Sequence, residues 1–201
     1  MRLLAALLLS TLSGAAVAEC QCLWRGSFTD VQADTDLVVS GTVISGKGNS
    51  IDLSVDRRLR GSPGAQSTLR IWLKTGDYCR PEPELFPVGS HWVMALDEIT
   101  EIVPGGFNPG TPNVSYGRVG DYSLSNCGGY WLSRSGAVVT GNLVAAPRWD
   151  REPKMTPVLL DLVAAFVRGE VGSQQLLEAS REDPALKELM LDTRAFLRDS
   201  D

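Results

Sequence analysis

Cys20-Gln21-Cys22 is the densest concentration of reactive chemistry in the chain. Two thiols one residue apart can ligate a metal or fasten a chain end to a folded body. The metal reading wants cysteine pairs spaced C-x₂₋₄-C. Here Cys79 and Cys127 stand alone, and His91 is the single histidine. The disulfide reading wants an even count in an oxidising compartment, and there are 4 cysteines. A Cys20–Cys22 bridge would close a very tight, strained ring. Each member of the pair is therefore expected to reach a distant cysteine, with the partners left open. We expect disulfides, no resident metal and no cofactor.

The residues before the pair set the compartment. Met1 and Arg2 lead into Leu3-Leu4-Ala5-Ala6-Leu7-Leu8-Leu9, and Ala16-Val17-Ala18 closes the segment. A basic start, a short apolar run and a small-x-small end predict a signal peptide over residues 1–18. The run falls short of the ~20 residues that a spanning helix needs. Glu19 stands where lipid attachment to Cys20 would want a small residue. The expected mature chain starts at Glu19 and is secreted or periplasmic.

Residues 1–18 hold one basic residue and no acidic one. The remaining 183 residues carry 18 basic against 24 acidic side chains, a net charge of −6. That disfavours nucleic acid and anionic membrane as partners, because both reward basic surfaces. The 43% hydrophobic content is that of a soluble globular chain. Residues 158–167, the most apolar later stretch, are short and contain Asp161.

Other candidate sites are thin. One histidine does not build an acid–His–nucleophile set, so no enzyme is expected. His91 lies beside Trp92 in a predicted strand and reads as structural. Glu82, Glu84, Asp97, Glu98 and Glu101 read as a solvated face. Trp24, Trp72, Trp92, Trp131 and Trp149 are candidates for a sugar-stacking platform, although such residues more often serve the core. Asn113-Val114-Ser115 is a glycosylation sequon, meaningful only in a eukaryotic secretory pathway.

The elements that must position Cys20 and Cys22 fall into two textures. Residues 37–44 are β-rich and end at Gly46-Lys47-Gly48-Asn49. Ile51, Leu53 and Val55 alternate with Asp52, Ser54 and Asp56, the period of a strand with one buried face. Gly61-Ser62-Pro63-Gly64 marks a turn. Leu69, Ile71 and Leu73 alternate again, residues 91–96 form a fourth strand, and residues 103–120 a long polar loop or loose hairpin. Residues 137–140 are the expected fifth strand. From about residue 153 the pattern turns helical. Thr156-Pro157 starts a helix over residues 158–168 that Gly169 stops, Ser173 caps a second, and Asp183-Pro184 opens a third with Leu186, Leu189, Met190 and Leu197 on one face. About five short strands followed by helices predict a β-rich α+β chain: a five-stranded Greek-key barrel of the OB type with C-terminal helices. The expected division is signal peptide 1–18, barrel domain 19–145 and a helical appendage 146–201 packed on the barrel.

These residues carry a resemblance. Cys-x-Cys near a processed start is followed by "ADTDLVVSGTVIS", "IDLSVDRRLRGSPG", a lone cysteine, "VGSHWVMALDE", and a further cysteine followed by aromatics. Over roughly residues 20–132 the series resembles the N-terminal domain of the tissue inhibitors of metalloproteinases, and more widely the netrin-like modules. The resemblance implies an OB barrel and the disulfides Cys20–Cys79 and Cys22–Cys127. It implies that the α-amino group and carbonyl of Cys20 chelate the zinc of a target protease, that Gln21 enters its specificity pocket, and that Cys22, Leu23 and Trp24 continue the wedge. Residues 78–81 would flank it. The partner implied is a secreted zinc metalloprotease. The alternative is a non-inhibitory netrin-like module for another exported protein or a glycan. The chain departs from the pattern twice: Glu19 precedes Cys20, and no cysteine follows Cys127.

Overall fold

A computed structural model describes residues 20–62, 66–76, 78–102, 114–145 and 157–180. The expected signal peptide, Glu19, Asn113, Trp149, Thr156 and the third helix lie outside the described residues.

The first strand, β1 (Leu37–Lys47), hairpins into β2 (Ser50–Arg60). Gly48 takes the left-handed position of the turn, at φ +61°. The β1–β2 register slips three times, once between Ser40 and Gly41. Each slip bends and twists the strand. At Gly41 a Cβ would lie 2.5 Å from the Ser54 carbonyl oxygen, so the close approach there requires glycine. The bend lets residues 37–42 pair on their other edge with β4 (His91–Glu98), from Leu37↔Leu96 to Thr42↔His91.

The ring then closes. Strand β3 (Thr68–Trp72) runs antiparallel to β2 and parallel to β5 (Tyr122–Ser123), and β5 runs antiparallel to β4. The closed order β1-β2-β3-β5-β4-β1 is that of a five-stranded OB-type barrel. The fifth barrel strand is the two-residue β5. The expected fifth strand, near residues 137–140, is instead β7 (Val138–Gly141) of an extension, in which β6 (Trp131–Ser135) pairs with β4, β7 with β6, and β8 (Val158–Leu159) with β7.

Val39, Leu53, Leu69, Val93, Met94 and Leu96 are fully buried inside. Phe28, in the one-turn helix α1 (Phe28–Val31), is buried in the same cluster. So are Val163 and Ala164 of α2 (Leu160–Val167) and Leu176 of α3 (Ser173–Ala179). Leu160, Val163, Ala164 and Val167 recur at helical spacing, which gives α2 one apolar face. Gly169, at φ +76°, ends the helix as expected.

Two boundary readings need correction. Val158 and Leu159 are strand, because Val158 pairs with Val139 at the β7 edge before the helix begins. The cap of α3 is Gly172, whose N–H donates to Gln175 Oε1 at 3.0 Å; Ser173 lies inside the first turn. Trp72 is buried and donates from its indole N–H to Asp121 at 2.8 Å, so it is core and not a stacking platform. Among the described residues no helix is long and apolar enough to cross a membrane.

Asn49 ties the barrel end together. Its side-chain amide donates to the carbonyls of Leu73 (3.1 Å) and Ser115 (2.8 Å) and accepts from Ser115 N–H (2.9 Å). A buried amide satisfied this way fixes both chains that lead to the β3–β5 closure.

Because α2 and α3 share the barrel's apolar cluster, a fragment ending at Asn142 would lose Val158, Leu160, Val163, Ala164, Val167 and Leu176 from it and leave the remaining apolar side chains uncovered. We predict that this fragment aggregates or melts without cooperativity. A soluble fragment with one sharp thermal transition would contradict the packing described.

Candidate binding site at the tied N-terminus

Barrel closure brings two connections side by side. Cys79 lies between β3 and β4, and Cys127 between β5 and β6. Asn126 N–H donates to the Cys79 carbonyl at 3.0 Å across the seam. Here the segment of residues 20–22 is fastened, by Cys20–Cys79 and Cys22–Cys127, with Cα separations of 5.1 and 5.7 Å. These are the pairings the resemblance implied. The sulfurs of Cys20, Cys22 and Cys79 lie within 4.8 Å of one another, yet all four cysteines are oxidised, so no thiolate is left for a metal.

Backbone hydrogen bonds continue the fastening. Arg25 N–H reaches Cys127 O (2.7 Å), Gly129 N–H reaches Gly26 O (2.9 Å), Phe28 N–H reaches Asn142 O (2.7 Å) and Thr29 N–H reaches Leu143 O (3.0 Å). The approach needs glycine at 129, where a Cβ would sit 2.7 Å from Asn142 O. The segment is therefore tied at its cysteines and again from Arg25 onward. Between these ties Gln21 is exposed and Leu23 is 85% exposed, while Cys20, Cys22 and Trp24 are half-buried.

A groove of about 740 Å³ runs beside residues 20–24. Trp131, Pro81 and Leu85 line it, with the Lys74–Glu82 ion pair (2.6 Å) among its walls. Asn126, Asn142 and Arg80 supply further polar groups. Asn142 Oδ1 is buried without a partner. Arg80 is only 8% exposed. It donates from Nη1 to Tyr116 O at 2.8 Å and stacks over the Tyr78 ring at 4.7 Å. Burial pushes its guanidinium below the ordinary arginine value, which the Tyr78 charge opposes.

Arg25, next along the segment, pairs with Asp34 at 2.8 Å and donates to the Tyr130 hydroxyl at 3.1 Å. Burial, then the charge of Asp36, lifts the Asp97 carboxyl above the ordinary aspartate range; Arg25 opposes this and Asp34 adds to it. Burial likewise lifts the Tyr130 phenol.

The expected wedge residues Cys20, Gln21, Cys22, Leu23 and Trp24 all line the groove, as do Arg80 and Pro81 of the flanking stretch. Trp131 joins them, and it and Trp92 both pack edge-on against Phe86, at 5.8 and 5.0 Å. Of the carboxylates, Glu82 is held by Lys74, while Asp97 and Glu98 stand on β4 near the closure with β5. His91 is exposed, and its Nδ1 shares a 2.8 Å hydrogen bond with Thr42 Oγ1. Sequence reasoning missed Asn126 and Asn142. Adjacency to Cys127 was the signal for the first; the second had none, because its place depends on the β7 pairing.

The ties and the buried carboxyl can each be tested by substitution. Cys22–Cys127 closes 105 positions, worth roughly 4–5 kcal/mol in the chain-entropy model. The Cys22→Ala/Cys127→Ala double variant is expected to lose about 3–5 kcal/mol of unfolding free energy in urea titration, and no loss would contradict the assignment. Asp97→Asn is expected to raise the thermal midpoint at pH 7. A carboxyl whose folded pKa is raised weakens the fold once ionised, fully above the raised value and not at all below the ordinary one. The gain should therefore vanish as pH falls into the ordinary aspartate range; a gain constant with pH would contradict this.

Comparison with protein-family models, curated proteins and solved structures finds no match to this chain, so its fold and site geometry carry the functional argument.

Proposed function

We propose that the chain is an exported binding protein, not an enzyme, whose N-terminal segment is a preorganised wedge directed at a secreted zinc metalloprotease. One observation carries this reading. Cys20 and Cys22 are tied by disulfides, while Gln21 and the 85% exposed Leu23 present their side chains to solvent. An exposed strip of chain ordinarily loses affinity to the cost of ordering it, about 0.5–1.5 kcal/mol per immobilised side chain. Ties on either side of the strip lower that cost before the partner arrives. The apolar start of the sequence and the two disulfides support an exported protein.

The chemistry follows from the family resemblance. In a chain beginning at Cys20, the α-amino nitrogen and carbonyl oxygen fit the open position of a catalytic zinc and displace its water. Gln21 then points into the specificity pocket, with Leu23 and Trp24 behind it.

Glu19 favours a second reading. With Glu19 in place the nitrogen of Cys20 is an amide, a poor metal donor. The free amine is displaced by up to ~3.5 Å, the length of one residue. A zinc–nitrogen bond wants about 2.0–2.1 Å and cannot absorb that shift. A chain retaining Glu19 would be a non-inhibitory netrin-like module that binds another exported protein or a glycan.

Titrating both forms against a panel of secreted zinc proteases separates the readings. The form beginning at Cys20 is expected to inhibit, and the form beginning at Glu19 to inhibit weakly or not at all. Strong inhibition by the Glu19 form refutes the amine argument. Silence from both leaves the binding module.

A further inference from the structure

Arg80 stands on the groove without a part in the wedge. Arg25, Arg57, Arg70, Arg134 and Arg168 each hold a carboxylate within ion-pair distance. Arg80, only 8% exposed, has none among the described residues. It meets the Tyr116 carbonyl and the Tyr78 ring instead. A desolvated cation without a counter-ion is costly to a fold, and proteins ordinarily pair such a group. A guanidinium offers five N–H donors in a planar fork. Tyr116 O takes one, and the Tyr78 ring, 4.7 Å from the guanidinium carbon, offers no acceptor lone pair to the others.

We propose that the groove beside the N-terminal segment seats an extended peptide stretch of the partner protein, with an Asp or Glu side chain of that stretch placed on Arg80. The proposal rests on the reading that this face meets a protein. It adds the charge that the protein must bring, and the groove is built for it in three ways. Arg80 supplies a fixed, water-poor cation, where a carboxylate forms charge-assisted hydrogen bonds. Asn142, on the same groove, supplies a side-chain amide for a backbone group of the incoming stretch. Leu23 (85% exposed) and Leu85 (45% exposed) offer aliphatic contacts for the residues beside the acid. Those side chains, and a net charge of −6 after residue 18, favour a peptide over an acidic saccharide.

The test uses the oxidised chain with Glu19 retained. A positional-scanning array of N-acetylated, C-amidated hexapeptides is probed with it. Asp or Glu should be selected at one position, and the Glu→Gln version of the best peptide should bind at least ten-fold more weakly. On ¹⁵N-labelled protein that peptide should move the Arg80 Nε–H and Asn126 side-chain resonances. Arg80→Met should abolish the acid preference; should that variant fail to fold, the Arg80 Nε–H shift in the unaltered chain decides. Absence of an acid preference, an unmoved Arg80 Nε–H, or a response to a uronic-acid oligosaccharide and to no peptide would each overturn the proposal. The zinc reading fails separately. Inhibition without an acid preference sinks this proposal alone, and an acid preference without inhibition leaves it standing.

Discussion

A straight β1 could not serve both of its neighbours. It pairs with β2 from Val38 to Lys47 and with β4 along residues 37–42, and three register slips, one at Gly41, supply the bend between those duties. Everything downstream depends on that bend. It closes the ring and buries Val39, Leu53, Leu69 and Val93. It also leaves β3, β5 and β4 to complete the circuit with a two-residue strand. So short a strand is weak by itself, which is why buried hydrogen bonds crowd around it. Asn49 holds both chains leading to the closure, and the Trp72 indole is anchored on Asp121.

Closure also makes the proposed binding face. Residue 79 follows β3 and residue 127 follows β5, and β3 and β5 are neighbours only because the ring shuts. Asn126 N–H on Cys79 O marks the seam, and the two disulfides fasten residues 20–22 across it. Reduction of those bonds would free residues 20–24 but not the chain from Arg25 onward, which keeps its backbone bonds to residues 127–143. The order of residues 20–24 thus depends on covalent ties, while the barrel depends on burial.

The parts legible in sequence were those with a local period. Ile51, Leu53, Leu69 and Ile71 announced β2 and β3 by alternation, while α2 was legible from its start and stop signals, Thr156-Pro157 and Gly169. Two residues of β5 carry no period, and β6 (Trp131–Ser135) holds one buried apolar side chain, Leu132, and no apolar alternation. Val158 reads as helix locally and becomes strand because β7 needs an edge partner. The disulfide pairing came from family resemblance, since three pairings are formally open to four cysteines. Arg80 was legible as a neighbour of Cys79. Its burial without an acidic partner was not, because that depends on Tyr78, Tyr116 and the closure that brings them together.

The central claim is that residues 20–24 are rigid, with Gln21 and Leu23 facing solvent, before any partner binds. Backbone ¹⁵N relaxation of the oxidised chain, read at Gln21 and Leu23, tests this most directly. The account predicts order parameters of about 0.8 or above, matching the barrel strands. Values below about 0.6 at these two residues, with the strands rigid, would contradict it.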